Sequence, residues 1–212
     1  GADEISAAEE WERLEPLFEK LGQCARQGVP LSVDSYKPDV VEKALKAGAS
    51  IANDIFGFQR DPAMAGVVAE SGAGVVLMHN SRGEPVAGDL VSGVLRYFEK
   101  SLEIAFAAGI EKEKVVLDPG VGFGKTVEQN LELIRRAGEL RELGFPILLG
   151  ASRKSVIGAT LDLPVDQRLE GTLATTVAGI AGGVDIVRVH DVDQNLKAAR
   201  MADAIYRHEH IT

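Results

Sequence analysis

Six short apolar segments alternate along the chain with segments of helical periodicity. The apolar segments are rich in Val, Ile and Leu and are bounded by Gly or Pro. They cover residues 29–35, 49–55, 74–80, 114–120, 146–152 and 184–191. Segments of this length that are apolar on both faces are typical of buried parallel strands. We therefore predict six strands.

Amphipathic segments with recognisable ends lie between these strands. Ser6 and Glu9 have the spacing of a capping box at the start of the first helix. Thr126 and Gln129 repeat that spacing before a later helix. The first helix is predicted to bury one stripe, made of Trp11, Leu14, Leu17, Phe18 and Leu21. The last two helices are predicted over 168–181 and 194–206. A helix followed by six strand–helix units predicts a parallel sheet covered by helices.

All six predicted strands end in polar residues. These ends are Asp34-Ser35, Asn53-Asp54, His79-Asn80, Asp118, Ser152-Arg153-Lys154, and Arg188 with His190 and Asp191. A doubly wound open sheet collects ligand-binding groups at one switch point, on one or two strands. A (β/α)8 barrel, or TIM barrel, collects them from the carboxyl end of nearly every strand. The pattern favours the barrel, although 212 residues are few for a fold of about 250.

Composition and charge narrow the class of protein. The length predicts one domain over residues 1–212, and the single cysteine excludes an intramolecular disulfide. A net charge of −9 argues against non-specific nucleic-acid binding, which depends on Lys and Arg. No apolar run reaches the ~18–20 residues of a membrane span. We expect a cytoplasmic protein with neither a nucleic-acid nor a membrane partner.

Cationic residues converge on the last two predicted strands. Ser152, Arg153 and Lys154 follow one strand, and Arg188 and His190 end the next. Barrels commonly bind phosphate in the loops after their last two strands, and Arg offers a planar donor fork for it. The alternative is a set of surface salt bridges. We favour an anion site, because burying an unpaired charge in an apolar strand costs free energy.

Two carboxylates and an amide form a second group. Asp34, Asn53 and Asp118 end three different strands. A buried carboxylate can accept from the N–H and NH₂ groups of a planar heterocycle, and Asn can both donate and accept. Together they predict a hydrogen-bonding floor for a pterin-like or guanine-like ring. Loop capping or metal ligation remains the alternative for any one of them.

The glycine-rich segment 118–126, DPGVGFGKT, resembles two nucleotide-binding motifs without matching either. A Walker A loop needs Gly where Pro119 stands, and the dinucleotide fingerprint needs Gly where Lys125 stands. We predict instead a loop whose backbone approaches a ligand closely, with Phe123 against it. His79, at another strand end, is equally compatible with a structural and a catalytic role.

The ordered motifs SVDS, AND-Ile, LMH, LDPGVGFGK, GASRKS-x-IG and RVHDV resemble those of the dihydropteroate synthases. The resemblance extends from Gly1 to about Tyr206. It implies a TIM barrel enzyme of folate biosynthesis, the target of sulfonamides. That transferase joins 6-hydroxymethyl-7,8-dihydropterin diphosphate to p-aminobenzoate, giving 7,8-dihydropteroate and pyrophosphate with the help of Mg²⁺. It also implies a homodimer.

Carried onto this chain, the resemblance gives each candidate residue a role. Four residues are expected to be catalytic: Asp34, Asp118, Lys154 and Arg188. The pterin is expected to contact Asp34, Asn53, Met78, Asp118, Phe123 and Lys154. Arg188 and His190 are expected to hold the diphosphate, and Ser152 and Arg153 border the p-aminobenzoate side.

The family's first two strand units have no counterpart in this chain. An Asn-x-Thr-Pro-Asp-Ser-Phe-Ser-Asp type motif and a Ser-Thr-Arg-Pro-Gly type loop are both absent. We therefore expect about six of the eight barrel strands, the third to the eighth, with the metal-contacting Asn in the missing N-terminal segment. Two alternatives are a methyltransferase acting on methyltetrahydrofolate and a corrinoid protein, and a non-catalytic pterin-binding module.

Overall fold

The computed structural model of the chain describes residues 4–82 and 88–207, in which strands and helices alternate in the predicted order. The α-helices are α1 (Ala7–Arg26), α2 (Pro38–Lys46), α3 (Ala63–Ser71), α4 (Leu90–Ala107), α5 (Val127–Arg136), α6 (Ser155–Leu161), α7 (Leu169–Ala181) and α8 (Val192–Tyr206). The strands are β1 (Ser32–Asp34), β2 (Ile51–Asp54), β3 (Gly74–Met78), β4 (Val115–Asp118), β5 (Leu148–Leu149) and β6 (Ile186–Val187). Short 3-10 helices cover Lys112–Lys114, Ala137–Leu143 and Val165–Gln167.

The six predicted strands are confirmed, but each is shorter than its apolar segment. Helix α6, between β5 and α7, was not predicted. It has only seven residues and includes Gly158, so its sequence carries little helical periodicity.

Two compact units make up the chain. The first, here the N-terminal unit, contains Gly1–Met78 and Phe98–Val116. The second, the C-terminal unit, contains His79–Tyr97 and Leu117–Thr212.

In the N-terminal unit, β2 pairs in parallel with β1 and with β3. The register places Asp34 opposite Asn53 and Asp54 opposite Leu77. Helix α2 covers this sheet with Val40, Val41 and Ala44, all fully buried. Parallel strands covered by helices are the arrangement that the alternating pattern predicts.

In the C-terminal unit, β5 is flanked by two parallel neighbours. It pairs in parallel with β6, and a parallel bridge joins Leu117 of β4 to Ile147, the residue before β5. Leu117 and Ile147 are fully buried, as are Leu133 of α5 and Leu140 of the 3-10 helix Ala137–Leu143. The carboxyl ends of β4, β5 and β6 therefore lie side by side.

The start of α1 is confirmed, but its predicted apolar stripe is only partly correct. The Ser6 hydroxyl caps the helix by accepting from the Glu9 amide at 3.2 Å. Phe18 is buried and stacks on Trp11, with the ring centroids 5.9 Å apart. Leu17 and Leu21, however, are 52% and 42% exposed. Periodicity identified the helix without showing how much of its apolar face would be covered.

Helix α8 and strand β6 expose apolar side chains. These are Ile186, Val192, Leu196, Met201, Ile205 and Tyr206. Within the described residues, no helix combines the length and hydropathy needed to cross a membrane.

A glycine pair tests the close packing of the C-terminal unit. A Cβ at Gly138 would clash with the backbone carbonyl of Gly182. Backbone atoms cannot rotate away from such a clash as the end of a side chain can. We expect Gly138→Ala to lower the free energy of unfolding by about 1–3 kcal/mol, as overpacking does. The measurement is urea denaturation.

Gly66 within α3 is the control, because a Cβ there meets no atom within 4 Å. Gly66→Ala should leave stability unchanged or raise it by up to about 1 kcal/mol. Equal stability of the two variants would contradict the packing described for Gly138.

Candidate active site

The predicted site residues fall into two groups, one in each unit. Asp34, Asn53 and Met78 belong to the N-terminal unit. The C-terminal unit holds Asp118, Phe123, Ser152, Arg153, Lys154, Arg188 and His190.

In the N-terminal unit, neighbouring strands place the first two candidates at the same level. Asp34 and Asn53 are direct partners in the register of β1 and β2. The Asn53 side chain is buried, whereas Asp34 is exposed. Met78, the last residue of β3, is fully buried. The carboxylate and the amide thus stand side by side at the carboxyl ends of their strands.

Asp54, next to Asn53, has a structural role. Its two carboxylate oxygens accept from the backbone amides of Phe56 and Phe58, at 2.9 and 2.8 Å. Burial raises the pKa of Asp54, and these two hydrogen bonds act in the opposite direction. Asp54 therefore caps the loop that follows β2.

In the C-terminal unit, an ion pair joins the two predicted subsites. Asp118 is fully buried, and its Oδ2 accepts from Arg188 Nη2 at 2.9 Å. Its Oδ1 accepts from the Gly120 amide at 2.8 Å. The Arg188 side chain remains 41% exposed. The predicted ring-binding carboxylate and the predicted phosphate-binding guanidinium are thus in direct contact, although 70 residues separate them in sequence.

Gly150 makes room for this contact. It follows β5, which lies between β4 and β6, and a Cβ there would be 2.9 Å from Arg188 Nη2 and 3.3 Å from Nε. The guanidinium therefore crosses the end of β5 at a position without a side chain.

Two further contacts connect the ends of β5 and β6. Ser152 Oγ lies 2.9 Å from His190 Nδ1 and accepts from the His190 amide at 3.2 Å. Arg153 forms a bidentate pair with Asp191, with Nε–Oδ2 and Nη2–Oδ1 distances of 3.0 and 2.5 Å. That hydrogen bond raises the pKa of Arg153 and lowers the pKa of Asp191. The cationic cluster is therefore partly compensated by a carboxylate that the sequence did not single out.

Lys154 connects this cluster to the glycine-rich loop. Its Nζ donates to the carbonyl of Val121 and lies 4.7 Å from the centroid of the Phe123 ring. The Arg82 guanidinium lies 4.9 Å from the same centroid. Cations at this distance are attracted to the face of an aromatic ring. Phe123 therefore lies beside Lys154.

Two glycines of the loop pack closely against the protein itself, and the predicted close approach of the loop backbone to a ligand stays a prediction. Gly124 has φ +70°, and its Cα lies so near the Ser81–Arg82 backbone that a Cβ would clash there. A Cβ at Gly122 would be 3.1 Å from Lys154 Cδ. The Ser81 hydroxyl donates to the carbonyls of Phe123 and Gly124. The loop is thus held against its surroundings.

Lys125 supports the loop beside the candidate site, and sequence reasoning missed this role. Its ammonium group donates to the carbonyls of Gly120 and Phe123, at 2.9 and 3.1 Å. Burial lowers the pKa of Lys125 to about 7; the Asp118 charge acts upward and the Lys154 charge downward. In the sequence, the letters GKT only resembled part of a nucleotide-binding motif. The hydrogen bonds by which Lys125 bridges two loop carbonyls have no recognisable sequence pattern.

His79 has the surroundings of a structural residue. It is 3% exposed and packs edge-on against Tyr97, with the ring centroids 4.7 Å apart. Burial lowers its pKa to about 3, the Lys125 charge adds to this, and a hydrogen bond with the Pro119 backbone opposes it. His79 is therefore neutral at physiological pH.

Across residues 4–82 and 88–207, no three His, Cys, Asp or Glu side chains are grouped so that they could hold a metal ion. A metal bound by such a set alone does not fit these residues.

The chain is similar to known proteins over almost its whole length. A family model described as pterin binding enzyme matches residues 1–190. The chain is 46% identical over 208 residues to the dihydropteroate synthase of Clostridium beijerinckii, covering 98% of this chain and 76% of that protein. It is 47% identical over 205 residues to that of Bacillus subtilis, covering 97% and 71%. A dihydropteroate synthase structure from Clostridium difficile, obtained in the presence of pteroic acid, matches with a TM-score of 0.92 and 51% identity, covering 98% and 78%.

The chain belongs to the pterin-binding enzyme family, and its parallel α/β architecture is that of the family's TIM barrels. Within that family it is a transferase of the dihydropteroate synthase kind. The family and the fold expected from the motifs are both confirmed.

The neutral state of His79 predicts a specific pH dependence. Because its folded-state pKa is lowered from 6.5 to about 3, the unfolded chain binds the proton first as the pH falls. The contribution is intact above pH 6.5 and is lost progressively below it. Between pH 7.5 and 5.5 this histidine should lower the free energy of unfolding by about 1.4 kcal/mol.

The measurement compares urea denaturation of the unmodified chain and of His79→Gln at both pH values. The unmodified chain should lose about 1.4 kcal/mol more than the variant. Identical pH dependence would show that His79 is not buried in its neutral form.

Proposed function

We propose that the C-terminal unit holds the pterin diphosphate at the junction of Asp118 and Arg188. The single observation that carries this proposal is their 2.9 Å ion pair. It brings a carboxylate suited to the N–H and NH₂ edge of a pterin next to a guanidinium suited to phosphate. The substrate itself has this order, a ring followed by a diphosphate.

In the C-terminal unit, the residues proposed for the pterin ring are Asp118, Phe123 and Lys154. In the N-terminal unit, the residues proposed for pterin contact are Asp34, Asn53 and Met78. Full burial supports Asp118 in this role, because a carboxylate away from water forms strong hydrogen bonds to ring donors. The flat face of Phe123 offers a stacking surface. The adjacency of Asp34 and Asn53 in the β1–β2 register supports a shared ligand for those two residues.

The diphosphate is assigned to Arg188 and His190. In the reaction the bond between the exocyclic CH₂ of the pterin and the diphosphate oxygen breaks, and its electron pair leaves with pyrophosphate. Negative charge grows on the leaving oxygen, and a fixed guanidinium stabilises that charge in the transition state. The exposed part of Arg188 is available to the phosphates while its Nη2 stays with Asp118.

The p-aminobenzoate side is assigned to Ser152 and Arg153. The amine of p-aminobenzoate forms the new C–N bond with its lone pair and then loses a proton, so no covalent enzyme intermediate is needed. Positioning the two substrates supplies much of the rate. Asp118, Lys154, Arg188 and Asp34 are the residues proposed to act on the reacting pair.

The resemblance implies that the reaction requires Mg²⁺, and this requirement can be measured. Mg²⁺ is commonly bound by one or two carboxylates together with substrate phosphates. The described residues contain no group of three His, Cys, Asp or Glu side chains that could hold the ion, and the roles proposed above concern only the chain's own side chains.

We also propose that the chain acts as a cytoplasmic homodimer. An apolar groove of about 360 Å³ lined by α5, α6 and α7 supports the dimer. Leu131 and Leu161, which line it, are 43% and 47% exposed.

Pyrophosphate release tests the reaction directly. The chain is mixed with the pterin diphosphate, with and without p-aminobenzoate, in excess Mg²⁺ or excess chelator. We expect stoichiometric release only when both substrates and Mg²⁺ are present. Binding of the pterin diphosphate without any release would support a non-catalytic module instead, and release independent of p-aminobenzoate would overturn the synthase assignment.

Calorimetry separates the roles of the paired residues. Arg188→Ala should weaken binding of the pterin diphosphate at least about tenfold, since a charge-assisted contact of about 1.5–3 kcal/mol is lost. Asp118→Asn should weaken binding of the pterin part, while free pyrophosphate is affected much less.

Arg141→Ala is the matched control, because Arg141 also pairs with a carboxylate of the same unit, Asp185, away from the candidate site. It should bind the pterin diphosphate normally. Unchanged affinity for the pterin diphosphate in Arg188→Ala would contradict the proposed anion site. If Asp118→Asn lost affinity for the pterin diphosphate and for free pyrophosphate equally, the two subsites would not be distinct.

A further inference from the structure

Arg153 has a backbone conformation that is uncommon for its residue type. Its φ is +56°, in the left-handed region that L side chains rarely adopt. It occupies a turn in which the Lys154 amide donates to the Ala151 carbonyl at 3.2 Å. Such a conformation persists only when neighbouring groups hold it in place.

Helix α7 and Arg168, the residue that caps its start, supply those groups. The Arg153 amide donates to the Thr172 hydroxyl at 3.1 Å. The Arg153 carbonyl accepts from Arg168 Nη1 at 3.0 Å. The Thr172 hydroxyl in turn donates to the Arg168 carbonyl at 2.8 Å. Both backbone polar groups of Arg153 are therefore fixed by two residues one helical turn apart.

The guanidinium of Arg168 is itself tightly placed. Its Nε donates to the Leu163 carbonyl at 3.0 Å. A Cβ at Gly158 of α6 would clash with the guanidinium carbon and nitrogens. Thr172 is 1% exposed, so its hydroxyl is shielded from competing water. The arrangement therefore needs Arg168, Thr172 and the absence of a side chain at position 158.

We propose that Arg168 and Thr172 are positioning residues that hold the Ser152–Lys154 turn in its binding geometry, a role that rests on the proposed function. The turn directs Ser152 to His190, Arg153 to Asp191 and Lys154 to Val121 and Phe123. Relaxing the left-handed residue redirects all three side chains together. Neither Arg168 nor Thr172 needs to touch a substrate for this effect.

The test compares Thr172→Val with Thr176→Val. Thr176 lies one turn further along α7, is 3% exposed, and its hydroxyl donates to Asn195 Oδ1 at 2.7 Å. Each variant removes one buried hydroxyl from the same helix, so both thermal unfolding midpoints should fall. The Thr172 hydroxyl bonds to Arg153 and Arg168, and the Thr176 hydroxyl bonds to Asn195. Only Thr172→Val removes a contact with the turn.

We expect Thr172→Val to lower kcat/KM for p-aminobenzoate about tenfold or more, because small misplacements of binding groups are costly. Thr176→Val should stay within about threefold of the unmodified chain. Thr172→Ser, which keeps the hydroxyl, should recover most of the activity. Gly158→Ala should reproduce the loss without removing any charge, since it displaces the Arg168 guanidinium.

Amide hydrogen exchange at Arg153 gives a second measurement that does not depend on turnover. Exchange should accelerate about tenfold or more in Thr172→Val and remain unchanged in Thr176→Val. Equal losses of activity in both valine variants, failure of Thr172→Ser to recover, or unchanged exchange in Thr172→Val would each overturn the inference. If the unmodified chain does not turn over, the proposed function fails. The exchange comparison then still decides whether Thr172 holds the Ser152–Lys154 turn.

Discussion

The arrangement of the candidate site depends on one buried carboxylate. Asp118 is fully removed from water at the end of β4, where an unpaired charge costs several kcal/mol. The Gly120 amide and the Arg188 guanidinium compensate it. Gly150, directly after the intervening strand, has no side chain and leaves room for the Arg188 guanidinium beside Asp118. One electrostatic requirement therefore fixes the ends of three neighbouring strands and places a cation where a phosphate is expected.

Around this ion pair, successive supports hold the other polar groups. Lys125 bridges two carbonyls of the loop that follows Asp118 and so holds Phe123 near Lys154. Arg168 and Thr172 hold the turn that carries Lys154. The residues proposed to contact substrate therefore rely on others that do not. Such support from rigid helices is what keeps binding groups in a productive geometry.

Local signals made the strands and their polar ends predictable from the sequence. Apolar runs located all six strands, and the Thr126–Gln129 spacing identified a capping box that the structure contains in full. Contacts between distant residues left no such signal: Asp118 and Arg188 are 70 residues apart, and Arg168 read only as the start of a helix. The exposure of Leu17 and Leu21 was equally invisible, because periodicity marks an apolar face but not its partner.

The central claim is that the ring and diphosphate subsites meet in the Asp118–Arg188 pair. A double-mutant cycle on the affinity for the pterin diphosphate measures this coupling most directly, using Asp118→Asn, Arg188→Ala and their combination. Residues in direct contact show coupling free energies of about 0.5–3 kcal/mol, and we predict at least about 1 kcal/mol here. Additive losses, with a coupling free energy near zero, would show that the two residues act on the substrate independently and would contradict the account.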